Sequence, residues 1–250
     1  MGVYLAMTEF DLRRCTAAPA VYAWMACHFS SGNTGLSNLP SQLPDNALLM
    51  IDDSIPPQGH DPLLIARQTA DIVSRFSVGG VILDFQRLFL PELNEIAHKV
   101  QQAVSCPCAV TAEYAQDWDG AVLLPPVPLQ QQISSYLSPW KGKTIYLELD
   151  REKLSMVLTK QGCALHPTED CLQEPIFTDS ELFCHYSIQL TEDSAVFTLE
   201  RTWEDLCQML DEGKKYGVAG AVGLYQEFGS ICPPNHIEFD RSQYKEAGYG

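Results

Sequence analysis

The chain has 250 residues, and its formal charge at pH 7 is −16, from 32 acidic and 16 basic residues. An acidic surface of this kind repels phosphate backbones and anionic lipids, which argues against binding to nucleic acid or to a membrane. The hydrophobic content of 46% and the charged content of 19% are typical of a soluble globular domain with a sizeable core.

The nine cysteines are odd in number and follow no repeated spacing. The apolar segment Val3–Met7 comes almost directly after Met1, without the basic stretch and cleavage site of a secretory signal. No apolar run approaches the roughly 20 residues that span a bilayer. We therefore expect reduced thiols and a cytoplasmic protein.

Because His28 and His60 lack a His-x-His spacing, we expect neither a metal nor another cofactor.

Short apolar segments alternate with amphipathic segments along the chain, which is typical of parallel α/β architecture. Eight of the apolar segments are predicted strands, and eight strands close a (β/α)8 barrel. The predicted strands are Val3–Met7, Val21–Cys27, Ala47–Ile51, Gly80–Phe85, Cys108–Ala112, Gly120–Leu124, Thr144–Leu149 and Val218–Leu224.

Helix signals lie between these strands. The predicted helix starts are the Asp61-Pro62 pair, Pro91, Pro128 and Thr202. Aspartate and threonine are good N-caps, and proline is accepted in the first turn of a helix. The helix after Pro128 is predicted to include Leu129, Ile133 and Leu137 on one face.

The segment from Arg151 to Arg201 is too long for one connection between a strand and a helix. It contains two alternating stretches, Cys184–Leu190 and Ala195–Leu199, joined by polar residues, which predict a β-hairpin. We therefore predict a single (β/α)8 TIM barrel over residues 1–250. A small β-rich subdomain over residues 151–201 is predicted as an insertion between the seventh and eighth strands.

The segment Gly79–Arg87 carries the strongest functional signal. A continuous apolar run leads into Asp84, Phe85 and Gln86, which predicts a buried parallel strand with polar groups at its carboxyl end. Barrels and doubly wound sheets bind their ligands at that end. Asp84 is the strongest candidate, because a carboxylate in an apolar strand needs a partner, either a ligand or an ion pair with Arg87 or another base at a strand end.

In this order of elements the chain resembles the family 18 glycoside hydrolases, the chitinases and endo-N-acetylglucosaminidases. That family carries an Asp-Gly-x-Asp-x-Asp-x-Glu pattern on its fourth strand and an insertion between strands seven and eight. Here Asp84 matches the last aspartate of the pattern. Gly79 and Ile82 replace the first two aspartates, and Gln86 replaces the terminal glutamate.

The resemblance implies a substrate-assisted hydrolysis, in which the glutamate protonates the glycosidic oxygen and the preceding aspartate orients the acetamido group of the sugar. Gln86 can donate hydrogen bonds but transfers no proton at neutral pH, and general acid catalysis contributes about 10²–10⁴-fold. Two further contacts depart from the family. Leu123–Pro126 replaces a Met-x-Tyr-Asp set, and Tyr225 stands at the position of a tryptophan that floors the sugar site.

Other polar residues follow the predicted strands and complete the candidate site. The candidate catalytic positions are Asp84 and Gln86, and the candidate ligand-binding residues are Glu9, Asp52, Arg87, Glu113, Glu148, Tyr225 and Glu227. Asp52 and Asp53 are adjacent, so only one of them can face the barrel mouth. Glu113 and Glu148 are interpreted either as a replacement acid and nucleophile or as exposed loop carboxylates.

Three functions are consistent with this sequence. The favoured one is a family 18-like barrel that has lost its acid and binds an N-acetylglucosamine-type carbohydrate or a protein partner without hydrolysis. The alternative is an active glycosidase or another hydrolase, with Asp84 and Glu113, Glu148 or Glu227 as its acid–base pair. The third is a metal-dependent hydrolase built on Asp52, Asp84 and Glu113. Substitution at three positions of one motif favours the first.

Overall fold

The computed structural model describes residues 2–14, 21–32 and 34–230. Eight parallel strands within them form a closed barrel: β1 (Gly2–Met7), β2 (Tyr22–Phe29), β4 (Leu48–Asp52), β5 (Gly80–Asp84), β6 (Cys108–Thr111), β7 (Ala121–Leu124), β8 (Ile145–Leu149) and β14 (Val218–Leu224). The ring closes because β1 pairs with both β2 and β14. The eight predicted strands and the (β/α)8 barrel are therefore confirmed, with strand ends shifted by at most two residues.

A small hydrophobic cluster fills the inside of the barrel, and a larger cluster lies between the strands and the helices. The inner cluster consists of Ala6, Ala23, Leu48, Met50, Ile82, Ala109, Ala121, Leu123 and Val222. Side chains alternate across a strand, so Asp52 and Asp84, two positions beyond Met50 and Ile82, point inward at the carboxyl ends of β4 and β5. Tyr146 contacts the inner cluster, which places Glu148 on the inner side of β8.

The α-helices in the described residues are α1 (Glu9–Arg14), α2 (Pro62–Phe76), α3 (Pro91–Ala103), α4 (Ile133–Leu137), α5 (Trp203–Gly213) and α6 (Tyr225–Phe228). Three short 3₁₀ helices cover Ala112–Tyr114, Ser138–Trp140 and Lys214–Tyr216. None of the helices in the described ranges is long and apolar enough to cross a membrane.

The predicted helix starts agree with the structure in three of four cases. The carboxylate of Asp61 accepts a hydrogen bond from the amide of Leu63, and Thr202 forms a reciprocal capping box with Asp205. The helix after Pro128 begins later than predicted, at Ile133. Leu129 lies outside it, because its side chain packs against the inserted sheet instead.

The insertion between β8 and β14 is a five-stranded antiparallel sheet, with β9 (Leu154–Thr159), β10 (Gly162–Pro167), β11 (Ile176–Asp179), β12 (Cys184–Leu190) and β13 (Ser194–Glu200) in the order β10-β9-β13-β12-β11. The pairing of β12 with β13 confirms the predicted hairpin. A further two-residue strand, β3 (Leu36–Ser37), pairs antiparallel with the end of β2.

Several contacts attach the inserted sheet to the barrel, among them a hydrogen bond of 2.8 Å between His185 on β12 and Asp205 on α5. Leu154, Cys184 and Leu199, all buried, form one hydrophobic cluster with Leu129 from the loop after β7. The guanidinium of Arg201 donates hydrogen bonds to the backbone carbonyls of Val127, Pro128 and Leu182. The insertion is therefore fixed to the side of the barrel mouth, by which we mean the carboxyl ends of the barrel strands.

We expect Gly79→Ala to lower the free energy of unfolding by about 1–3 kcal/mol. A Cβ atom on Gly79 would lie 2.7 Å from the carbonyl oxygen of Asn46, a backbone atom that cannot rotate away. Urea unfolding measures the effect. The control is Gly32→Ala, whose Cβ would meet nothing closer than 3.8 Å. Equal stabilities for the two variants would contradict the close approach of Gly79 to the backbone of Asn46.

Candidate functional site

Asp52 and Asp84 lie side by side at the barrel mouth. They are direct partners in the register of β4 and β5, and both face inward. Asp52 accepts a hydrogen bond of 2.8 Å from the amide of Ser54. The side-chain amide of Gln86 donates a hydrogen bond to Asp84. Asp84 and Gln86 therefore form one hydrogen-bonded pair at the carboxyl end of β5.

The surroundings of Asp84 favour its protonated form. Burial raises the pKa of this carboxyl, and the negative charges of Asp52 and Asp53 raise it further. The hydrogen bond from Gln86 acts in the opposite direction and lowers the pKa. No arginine or lysine contributes to the shift. Among the described residues, the amide of Gln86 is the group that stabilises the ionised form of Asp84.

Asp53 holds the loop that follows β5. Its carboxylate is 3% exposed and accepts hydrogen bonds from the backbone amides of Gln86 (2.9 Å) and Arg87 (3.0 Å). The Arg87 Nε atom lies 3.8 Å from the same carboxylate and donates to the Asp53 carbonyl oxygen at 3.1 Å. The sequence suggested an ion pair of Arg87 with Asp84, but Arg87 pairs with Asp53, because the chain turns outward after Asp84.

Tyr114 fixes the rest of this loop. Its hydroxyl accepts a hydrogen bond from the amide of Leu90 and lies 3.2 Å from the carbonyl oxygens of both Arg87 and Leu88. Its ring, 2% exposed, meets Phe85 edge-on at 5.6 Å between centroids. The backbone that carries Gln86 is thus held from both sides, by Asp53 and by Tyr114.

Glu148 is the most strongly perturbed carboxyl at the mouth. Burial raises its pKa to about 7, and the negative charges of Asp84 and Asp150 add to the shift. Among the described residues, no hydrogen bond is made to its side chain. The structure therefore brings Asp84, Asp52 and Glu148 into one electrostatically coupled group, which we call the mouth carboxylates.

The remaining predicted site residues lie on other elements. Glu113 is exposed on the 3₁₀ helix after β6, where its charge acts on Tyr114. Glu9 is exposed at the start of α1. Tyr225 begins α6, and Glu227 follows it, with one carboxylate oxygen buried and without a hydrogen-bond partner in the described part of the chain.

Tyr225 lines a separate depression of about 430 Å³ beside the mouth. Gln226 also lines it and donates a hydrogen bond of 2.9 Å to Asp11. No described set of three His, Cys, Asp or Glu side chains is arranged to hold a metal ion. The hypothesis of a metal site at Asp52, Asp84 and Glu113 therefore finds no support in the described residues.

Sequence reasoning missed the roles of Asp53 and Tyr114. In the sequence Asp53 stands out only as the neighbour of Asp52, and Tyr114 carries no signal of its own. The one local signal is the position of Asp53, two residues after the predicted strand Ala47–Ile51 and just before Ser54. The hydrogen bonds of Asp53 and Tyr114 to the loop after β5 cannot be predicted from local sequence, because the bonded residues lie 24 to 34 positions away in the chain.

The fold has a known counterpart: the chain has the barrel fold of the family 18 chitinases and related proteins. No protein-family profile and no curated protein matches the sequence itself. The spore cortex-lytic enzyme SleL of Bacillus cereus superimposes with a TM-score of 0.57 and 11% identity, over 89% of this chain and 70% of its own.

Two other solved structures are similar at comparable levels. The family 18 chitinase of Cycas revoluta, solved in complex with (GlcNAc)3, has a TM-score of 0.54 and 9% identity over 89% of this chain and 94% of its own. The chitinase-like agglutinin of Robinia pseudoacacia has a TM-score of 0.50 and 12% identity over 89% and 93%. Identities this low show a shared fold and nothing finer.

We expect Asp53→Ala to lower the free energy of unfolding by about 1–3 kcal/mol, because the backbone amides of Gln86 and Arg87 lose their acceptor. Urea unfolding measures this loss, and Asp117→Ala, at an exposed loop position, is the control. Hydrogen exchange of the Gln86 and Arg87 amides should accelerate in the Asp53 variant alone. Unchanged exchange would contradict the anchoring role of Asp53.

We expect Glu148→Gln to stabilise the protein at alkaline pH. The folded pKa of about 7 exceeds the ordinary value of 4.5, so wild-type stability falls as pH rises between these values. The glutamine variant lacks this fall, and by about pH 8 it should be more stable by roughly 1–3 kcal/mol. Below about pH 4.5 the two proteins should not differ.

Urea unfolding at several pH values measures this difference. The exposed substitution Glu95→Gln on α3 removes the same charge and should leave the pH dependence unchanged. A Glu148 variant that is less stable than wild type at alkaline pH would show that the charged form has a stabilising partner.

Proposed function

We propose that this protein is a non-hydrolytic family 18-like barrel that binds a carbohydrate of the N-acetylglucosamine type at the barrel mouth. The observation that carries the proposal is the hydrogen bond from the Gln86 amide to Asp84. An amide at this position can orient a carboxylate or a sugar hydroxyl, but it has no proton to transfer to a leaving group. The mouth keeps a polar binding group while lacking the general acid.

The anchored loop of the mouth supports the binding of a ligand. Asp53 and Tyr114 hold the backbone of Gln86 and Arg87 in place before any ligand arrives, so little conformational entropy is lost on binding. The similar structures include a chitinase in complex with (GlcNAc)3 and a chitinase-like agglutinin. These names support a sugar as the ligand class over a protein partner. A cytoplasmic location remains part of the proposal.

Calorimetric titration with (GlcNAc)3, together with a reducing-end assay, tests this function. We expect saturable binding and no turnover. Gln86→Ala should weaken binding by about tenfold, because it removes a hydrogen bond to a charged group. Gln161→Ala, in the exposed turn between β9 and β10, should not change it. Absence of binding, or turnover by the wild-type protein, would overturn the proposal.

We expect Gln86→Glu to produce no chitinase activity on its own. The family motif uses a second aspartate where this chain has Ile82, and a glutamate beside Asp84 would add another charge to a mouth whose carboxyls are already destabilised. A chromogenic N-acetylglucosaminide measures turnover. Activity in this single variant would contradict the view that several motif positions have lost their function.

A second candidate function is an active glycosidase in which Glu148 is the general acid. The observation that favours it is the pKa of about 7, which keeps part of the Glu148 population protonated at neutral pH. If this candidate is correct, the wild-type protein hydrolyses a glycoside and Glu148→Gln loses that activity. The reducing-end assay with wild type and this variant separates the two functions.

A further inference from the structure

We infer that a second ligand site lies at the end of the barrel opposite the mouth, and that it binds a small molecule with a phosphate group and an apolar body. The site is a cavity of about 610 Å³ beside the amino ends of β8 and β14. Its lining residues are different from those of the mouth, so this inference is independent of the proposed function.

The first argument is the position and size of the cavity. Thr144 directly precedes β8 and Gly217 directly precedes β14, and these two strands are parallel neighbours. Residues of α4 and of the 3₁₀ helix Lys214–Tyr216 also line the cavity. Small-molecule sites in proteins have volumes of roughly 300–1,000 Å³. The cavity is therefore large enough for a compact organic ligand.

The second argument is the local excess of positive charge. Lys141, Lys143 and Lys215 all line the cavity, in a chain with 32 acidic and only 16 basic residues. The stretch of residues 134–144, which supplies most of the lining, contains no aspartate or glutamate. Three ammonium groups around one concave surface attract an anion, and the negative charge of the rest of the surface makes this place distinct.

The third argument is that these ammonium groups keep donors for a ligand. Lys215 is paired with Glu212 at 2.6 Å, and Lys143 donates a hydrogen bond to the carbonyl oxygen of Trp118. Within the described ranges, neither Lys141 nor Lys143 forms an ion pair. Because an ammonium group has three donors, each lysine has at least one left. Lysine commonly binds phosphate as a point charge, which favours this anion.

The fourth argument is the apolar part of the lining. Leu137 and the half-buried Tyr216 line the cavity together with the lysines. The methylene groups of lysine side chains add apolar surface next to their charges. A phosphate ester with an apolar or aromatic body satisfies both parts of this lining, whereas inorganic phosphate satisfies only the charged part.

The backbone that carries the lysines is held before any ligand binds. Gly217 has a left-handed φ of 97°, and a Cβ atom there would lie 2.5 Å from the carbonyl oxygen of Lys143. The amide of Lys143 donates to the carbonyl oxygen of Trp140 at 3.0 Å, and that of Ile145 donates to Gly217 at 2.9 Å. A site fixed in this way loses little conformational entropy on binding.

An NMR titration of the ¹⁵N-labelled full chain with phenyl phosphate, at about 0.15 M salt to screen exposed charges, tests the inference. We expect saturable shifts of the amides of Gly142, Lys143 and Gly217. Inorganic phosphate should shift the same amides but bind at least about tenfold more weakly, because it buries no apolar surface. Phenylacetate, which carries a single charge, should also bind at least about tenfold more weakly.

Substitutions of the lysines supply the controls. Lys141→Gln and Lys215→Gln should each weaken the binding of phenyl phosphate by about fivefold, because each removes a charge-assisted hydrogen bond. Lys160→Gln removes the same charge in the turn between β9 and β10, where Lys160 pairs with Asp193 at 3.5 Å, and should preserve the affinity. Thermal unfolding confirms that each variant is folded, and two lysine variants keep the test valid if one of them unfolds.

The outcomes that overturn the inference are separate from those that concern the mouth. The inference fails if these amides show no saturable shifts, if phenylacetate binds as tightly as phenyl phosphate, or if Lys160→Gln weakens binding as much as Lys141→Gln. Calorimetric titration with (GlcNAc)3 should give the same result for Lys141→Gln as for wild type. Loss of (GlcNAc)3 binding in this variant would contradict the independence of the two sites.

Discussion

The carboxylate of Asp53 is the constraint on which the mouth depends. It is buried after β4, yet it accepts hydrogen bonds from two amides of the next strand's loop, at Gln86 and Arg87. A buried charge is tolerated only with such partners, and the partners in turn lose their freedom. This carboxylate fixes the backbone position of Gln86. It also binds Arg87, whose side chain therefore points away from the mouth. The pKa of Asp84 is raised first by its burial, and the hydrogen bond from Gln86 partly offsets this effect.

The alternation of side chains in the barrel strands explains the rest of the site. Met50, Ile82 and Tyr146 face the inner cluster, and the next inward position on each strand is a carboxylate at the mouth. Small inner residues such as Ala6 and Ala23 leave room for these large neighbours. The polar end of the barrel therefore continues directly from its apolar interior. Burial at this boundary raises the pKa of Glu148 to about 7.

The fold could be predicted from sequence because strand and helix boundaries are local signals. The apolar run before Asp84 and the capping residues Asp61 and Thr202 lie beside the structure they specify. Contacts distant in sequence could not be predicted in the same way. Leu129 fits a helical face but packs on the inserted sheet, and Arg87 has two nearby acids, of which only the folded chain selects Asp53. Glu148 was identified as a candidate, but its coupling to Asp84 depends on barrel closure.

The inserted sheet begins and ends at neighbouring points. The chain leaves the barrel after Asp150 and returns at Arg201, and these two side chains are close enough for their charges to interact. A short turn between the same two points would preserve the register of β8 and β14. The sheet is thus an appended module to which the barrel is adapted, because its loss would leave Leu129 without its cluster and Asp205 without its hydrogen bond to His185.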